Sequence, residues 1–200
     1  MSKTVDFIFD FASPNAYFSH KALPGILERT GAAANYIPCL LGGIFKATGN
    51  QAPFVAFANV KGKNEYGMLE IGRFIAKHGL TNFKMNSAFP LNTVMLQRGA
   101  LVAEEEGRLA EYVDAGLTAM WEDNLKMDDA NVFAKEMTAR GFDGTAILER
   151  TQDPAIKAKL IANTEAAVAR GAFGIPTFYV GDEMFFGKER LAQVEEELAK

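Results

Sequence analysis

The stretch that most restricts the fold is "TFYVGDEMFF", residues 177–186. Two short runs of β-branched and aromatic residues flank Gly181-Asp182, a pair suited to a two-residue hairpin turn. Gly187 breaks the second run, and Leu191, Val194 and Leu198 then recur at helical spacing. The chain is therefore expected to close β-β-α. It opens differently. Val5 to Phe11 reads as a first strand, Ser13 as the cap and Pro14 as the first residue of a helix, and Gly31 as its stop. Ala16, His20, Leu23 and Leu27 form the expected inward stripe, with a kink at Pro24. Asn35 to Leu41 is a second strand, placed at an edge or strand end by Pro38.

Between these ends helical signals dominate, from Gly42 to Gly171. Met68, Ile71 and Ile75 stop at Gly79; Asn92 is read as a cap before a helix ending at Gly107. Leu109, Val113, Leu117, Met120 and Trp121 form a further stripe, and Asp153-Pro154 opens a last helix through Ile156, Leu160 and Val168. Asn59 to Glu65 reads as loop. A parallel β-α-β unit and an antiparallel β-β-α unit together make one four-stranded mixed sheet. The fold class is α/β, a thioredoxin-like sheet with a large all-helical insertion. Residues 1–41 and 172–200 are expected to form the discontinuous thioredoxin-like domain, and 42–171 the helical insertion.

Composition narrows the function. With 200 residues and 48% hydrophobic content the chain can bury a sizeable core. A formal charge of -4, with Lys and Arg spread among acids, argues against nucleic acid as partner. No apolar run is long enough for a membrane span and the start has no signal-like pattern, so a cytoplasmic protein is expected. The single cysteine, Cys39, excludes an internal disulfide, and His20 and His78 lie at no metal-ligand spacing.

In a thioredoxin fold the chemistry sits where the first helix begins, because unpaired N–H groups and the helix dipole stabilise an anion there. Ser13-Pro14-Asn15-Ala16 occupies that place, with no thiol at either end for disulfide exchange. The serine can be a nucleophile, a donor to a thiolate brought from elsewhere, or a helix cap. Ile175-Pro176, just before the hairpin, is where such folds place a cis proline, leaving the Ile175 backbone free to pair with an extended peptide. Cys39 and His20 are read as buried core residues.

The segments "FDFASPNAYF", "LLGGIFKATGNQAP", "KNEY" followed by "GRFIAKHG", "FPLNT", "NTEAAVARGAFGIPTF" and "GDEMFFGKERL" together resemble the 2-hydroxychromene-2-carboxylate isomerases and their relatives, the kappa-class glutathione transferases. The resemblance covers essentially the whole chain. It implies glutathione as cofactor, with Ser13 donating to the sulfur and Asn50 and Lys63 contacting the tripeptide. Ile175, ahead of Pro176, would pair with its cysteinyl part, and Lys188, Glu189 and Arg190 would receive the γ-glutamyl end. It also implies a small aromatic carboxylate substrate and a homodimer. Two departures from the family pattern stand out: Glu189 replaces the usual Asp, and residues 54–58 are wholly apolar where substrate-holding polar groups are usual. Irreversible conjugation of glutathione and non-catalytic peptide binding are the competing readings.

Overall fold

A computed structural model describes residues 3–200; Met1 and Ser2, at the head of the expected first segment, lie outside it. Strand β1 (Thr4–Phe9), helix α1 (Pro14–Thr30) and strand β2 (Ala33–Pro38) open the chain, and β1 and β2 pair in parallel from Thr4↔Ala33 to Phe9↔Pro38. The middle is entirely helical: α2 (Leu41–Thr48), α3 (Pro53–Ala56), α4 (Lys63–His78), α5 (Val94–Glu105), α6 (Leu109–Trp121), α7 (Ala130–Ala139), α8 (Gly144–Arg150) and α9 (Pro154–Ala169). The chain then returns through β3 (Thr177–Val180), β4 (Glu183–Phe186), a 3-10 turn at Lys188–Arg190 and α10 (Leu191–Leu198). The sheet order is β2-β1-β3-β4, with both pairings of β3 antiparallel. This is the expected thioredoxin-like arrangement, with the hairpin turn at Gly181-Asp182 and Pro38 at the end of an edge strand.

Five local expectations shift, the first being the second strand, which spans Ala33–Pro38 rather than Asn35 to Leu41. Strand β1 ends at Phe9 rather than Phe11, because Asp10 turns its carboxylate onto the N–H of Ala12 at 2.9 Å. Helix α5 starts at Val94 with Thr93 in the cap position; Asn92 does accept from the Val94 N–H at 3.0 Å, while the Thr93 hydroxyl is drawn to Asp10. The expected loop ends at Gly62, which takes the left-handed conformation at φ 80°, so Lys63 to Glu65 already belong to α4. Helix α1 runs through Pro24, and Tyr17, Phe18 and Ile26 are buried besides Ala16, His20 and Leu23, whereas Leu27 is only partly so. A helix enclosed on several sides buries more than one stripe.

The helical block is fastened to the end of the sheet by particular bonds. Gln97, fully buried on α5, donates from Nε2 to Phe9 O at 2.9 Å and Cys39 O at 2.7 Å, tying α5 to the end of β1 and to the residue just past β2. Trp121 on α6 donates from Nε1 to Phe11 O at 2.9 Å. Gly116 lets α6 approach this point, since a Cβ there would stand 2.5 Å from the Phe11 ring. Phe7 stacks on Phe178 across the β1–β3 pair with centroids 5.0 Å apart. The sheet's open C-terminal end, with the start of α1, is thereby covered by helices.

Candidate active site

The turn from β1 into α1 is held by one carboxylate. Asp10 is 2% exposed, and its Oδ1 accepts from Ala12 N–H and from Thr93 Oγ1–H at 2.5 Å, while Oδ2 accepts from Leu41 N–H at 2.8 Å. Its own carbonyl accepts from Ser13 N–H at 3.0 Å. Three segments distant in sequence meet on this side chain. Burial pushes the Asp10 carboxyl above the usual range, although its hydrogen bonds pull the other way. Since the folded value is raised, the contribution to stability is complete below the ordinary carboxyl range and is lost as pH rises through the folded value.

Ser13 caps α1: its Oγ accepts from Ala16 N–H at 3.2 Å, with Pro14 at the first helical position. The same hydroxyl donates to Ile175 O at 3.3 Å, across 162 residues of sequence. Ile175-Pro176 is cis, and the Ile175 N–H has no backbone partner among the described residues. Asn50, just past α2, donates from Nδ2 to Phe173 O at 2.8 Å, two residues ahead of Ile175. The structure thus brings Ser13, Asn50, Ile175 and Pro176 to one place. It presents a capped helix start, a free peptide N–H and a serine hydroxyl side by side, the elements that recognise an extended peptide with an anionic end.

Next to this turn lies a cavity of about 380 Å³ between Ala12, α2 and the loop before α5. Leu41, Phe45, Phe54, Phe89 and Val94 give it apolar walls, and Asp10 and Thr93 are its buried polar floor. Such a space suits an aromatic body. Cys39 is fully buried, and burial pushes its thiol up to about 12, so it supplies no thiolate. His20 is 7% exposed and held by Tyr36 Oη at 2.9 Å and Asp114 at 3.1 Å, a core residue as expected. Those contacts, with Lys21 at 2.7 Å, hold the Asp114 carboxyl well below the usual range, so its contribution to stability is lost as pH falls through that low value.

The expected charged contacts stand further out. Lys63 is exposed at the first residue of α4, its ammonium 5.2 Å from the centre of the Phe57 ring. Lys188 is 4% exposed, its ammonium bonded to Glu189 and 5.7 Å from the centre of the Phe74 ring. Glu189 folds back, and a Cβ on Gly187 would meet its Oε2 at 2.8 Å. The longer side chain thus reaches its own turn, where Gly187 sits at φ 90°. Arg190 is exposed. These three form one turn at the start of α10, joined to α4 through Phe74. Sequence reading did not assign a site role to Asp10, although an acid inside the apolar run "FIFDF" is a signal for a buried, multiply bonded carboxylate.

Comparison with known proteins places this geometry. The model of the DSBA-like thioredoxin domain matches residues 4–199. A 2-hydroxychromene-2-carboxylate isomerase of Sphingobium xenophagum is 29% identical over 193 residues, covering 96% of this chain and 95% of that protein. The isomerase of the same name from Pseudomonas putida is 27% identical over 198 residues, covering 98% and 94%. A solved structure of 2-hydroxychromene-2-carboxylate isomerase, 27% identical, superposes with a TM-score of 0.82 over 96% of this chain and 93% of that one. With the four-stranded sheet and the capped helix start in place, the match over nearly the whole length means that the chain belongs to the DSBA-like thioredoxin domain family.

Proposed function

We propose that the protein is a glutathione-dependent cis-trans isomerase that interconverts 2-hydroxychromene-2-carboxylate, or a similar aromatic unsaturated keto acid, and trans-o-hydroxybenzylidenepyruvate. The observation that carries this reading is the Ser13–Ile175 pair beside an apolar cavity, at a position with no thiol of its own. Isomerases of that name match the chain along nearly its full length, which supports the same conclusion.

The residues present fit glutathione. The Ile175 N–H is free for its cysteinyl backbone, Asn50 lies on the flank for its polar groups, Lys63 at the start of α4 is an exposed cation for a carboxylate, and the Lys188–Arg190 turn offers charges of both signs for its γ-glutamyl end. When bound, glutathione would supply the nucleophilic sulfur for a reversible addition to a conjugated double bond, without being consumed. Ser13 would donate a hydrogen bond from its hydroxyl to the sulfur and so favour the thiolate. That requires only a rotation of Oγ–H away from Ile175 O, a long bond at 3.3 Å. The start of α1 adds its dipole, so that the anion is favoured there. Phe54, Phe89 and Leu41 line the space for the aromatic body.

Turnover assays with measured glutathione test the reading: many product molecules per glutathione are expected, and stoichiometric loss of thiol would instead mean conjugation. In the same assay Ser13→Ala is expected to lower kcat about tenfold to a hundredfold, the worth of a hydrogen bond to a charged group, with a smaller change in glutathione affinity. An unchanged kcat would remove Ser13 from the chemistry.

A further inference from the structure

Of the eight arginines, six are paired with acidic side chains: Arg29, Arg73, Arg108, Arg140, Arg150 and Arg170. Arg98 is different. It lies on α5, is partly buried, and makes no ion pair among the described residues. Its Nε is fully buried without a hydrogen-bond partner. It lines a second cavity of about 370 Å³ with Asn92, Val94, Met95, Asp128 and Gln152. The Oδ1 of Asp128 is also buried without a hydrogen-bond partner, and Lys126 approaches that atom only to 3.9 Å. A cleft thus holds an orphaned cationic donor and an orphaned anionic acceptor that are not bonded to each other. Both side chains line the cleft, and a ligand bearing an acceptor and a donor would give the Arg98 guanidinium the partner it lacks among the described residues and meet the Asp128 carboxylate.

Asn92 and Val94 line this cleft and the apolar cavity beside Ser13 alike. One molecule can therefore place an aromatic ring in the apolar cavity and a polar head in the cleft. We infer that Arg98 and Asp128 form the head-group site of the substrate, Arg98 taking its carboxylate and Asp128 accepting the hydroxyl of a 2-hydroxy acid. The inference rests on the reading that the substrate is an aromatic hydroxy or keto acid. It explains how residues 54–58 can be wholly apolar: the carboxylate is received on α5, at the opposite side of the aromatic walls. A planar guanidinium meets a carboxylate with two parallel bonds, and the acid on Asp128 discriminates against a head group that carries charge but no donor.

Binding of unreactive probes tests this apart from catalysis. Calorimetry with mandelate, which carries a carboxylate and a hydroxyl on one carbon beside a phenyl ring, is compared with mandelamide and phenylacetate. The wild-type protein is expected to prefer mandelate to both. Arg98→Met is expected to weaken mandelate about tenfold or more and to abolish the preference over mandelamide. Asp128→Asn is expected to reduce the preference over phenylacetate while leaving the Arg98 effect. Arg98→Lys, which keeps the charge without the planar fork, carries the same comparison if Arg98→Met does not fold. Equal mandelate affinity in wild type and Arg98 variants, or no binding to the wild type, would overturn the assignment. Arg98-dependent mandelate binding by a protein that does not turn over the chromene would uphold the site and refute the isomerase reading alone.

Discussion

Helices α4 and α6 carry similar numbers of apolar residues and end up in opposite circumstances. Of the 13 residues of α6, seven are buried, including Tyr112, Met120 and Trp121. Of the 16 residues of α4, none is buried, and Tyr66, Met68 and Leu69 are each at least half exposed. Neighbouring α3 continues the contrast with Phe54 and Val55 exposed. The difference lies in what stands opposite. Helix α6 faces α1, α5 and Phe11 at the end of the sheet, whereas α4 meets the body through a partly buried stripe of Ile71, Phe74 and Ile75, with Phe74 touching Phe18 and Lys188. Periodicity fixes which residues share a face of a helix, and topology fixes whether anything covers that face.

Mutations should separate the two regions by magnitude. Trp121→Ala in the covered region removes a fully buried ring and the bond to Phe11 O, and is expected to cost about 3–5 kcal/mol in urea unfolding. Asp10→Leu strands three donors on segments that meet at the active turn, and is expected to cost about 3 kcal/mol. A loss below about 1 kcal/mol would mean that the three donors find other partners. At the far end, Leu69→Gln on the open face of α4 is expected to change stability by no more than about 0.5 kcal/mol. A loss of several kcal/mol there, measured at low concentration, would show that α4 is covered after all.

Most of the architecture could be read from short-range signals. Ser13-Pro14, Gly31, Gly79 and the Gly181-Asp182 turn each dictate a local geometry by their own chemistry, and each stands where expected. Features that depend on distant partners could not be read. The Asp10 carboxylate draws on Leu41, 31 residues away, and Thr93, 83 away, so its role appears only when the chain is folded. That competition also moved the α5 cap by one residue. The burial of Lys188 is of the same kind: the turn after Gly187 aims its ammonium inward, 5.7 Å from the centre of the Phe74 ring on α4. Arg98 gave no signal in sequence, since an arginine without a partner differs from its neighbours only through what is missing around it.

The bond between Ser13 and Ile175 has a consequence in time. The two central strands come from opposite ends of the chain, and Ile175, 162 positions after Ser13, must be made before the two can meet. At usual synthesis rates of about 5–20 residues per second, Ser13 waits on the order of ten to thirty seconds for its partner to leave the ribosome. During that interval the aromatic side chains of β1 and α6 are present without β3 to close over them. A cell making this protein holds β1 and β2 before β3 and β4 exist to complete the sheet, and the Ser13–Ile175 contact waits for the whole helical block to be made.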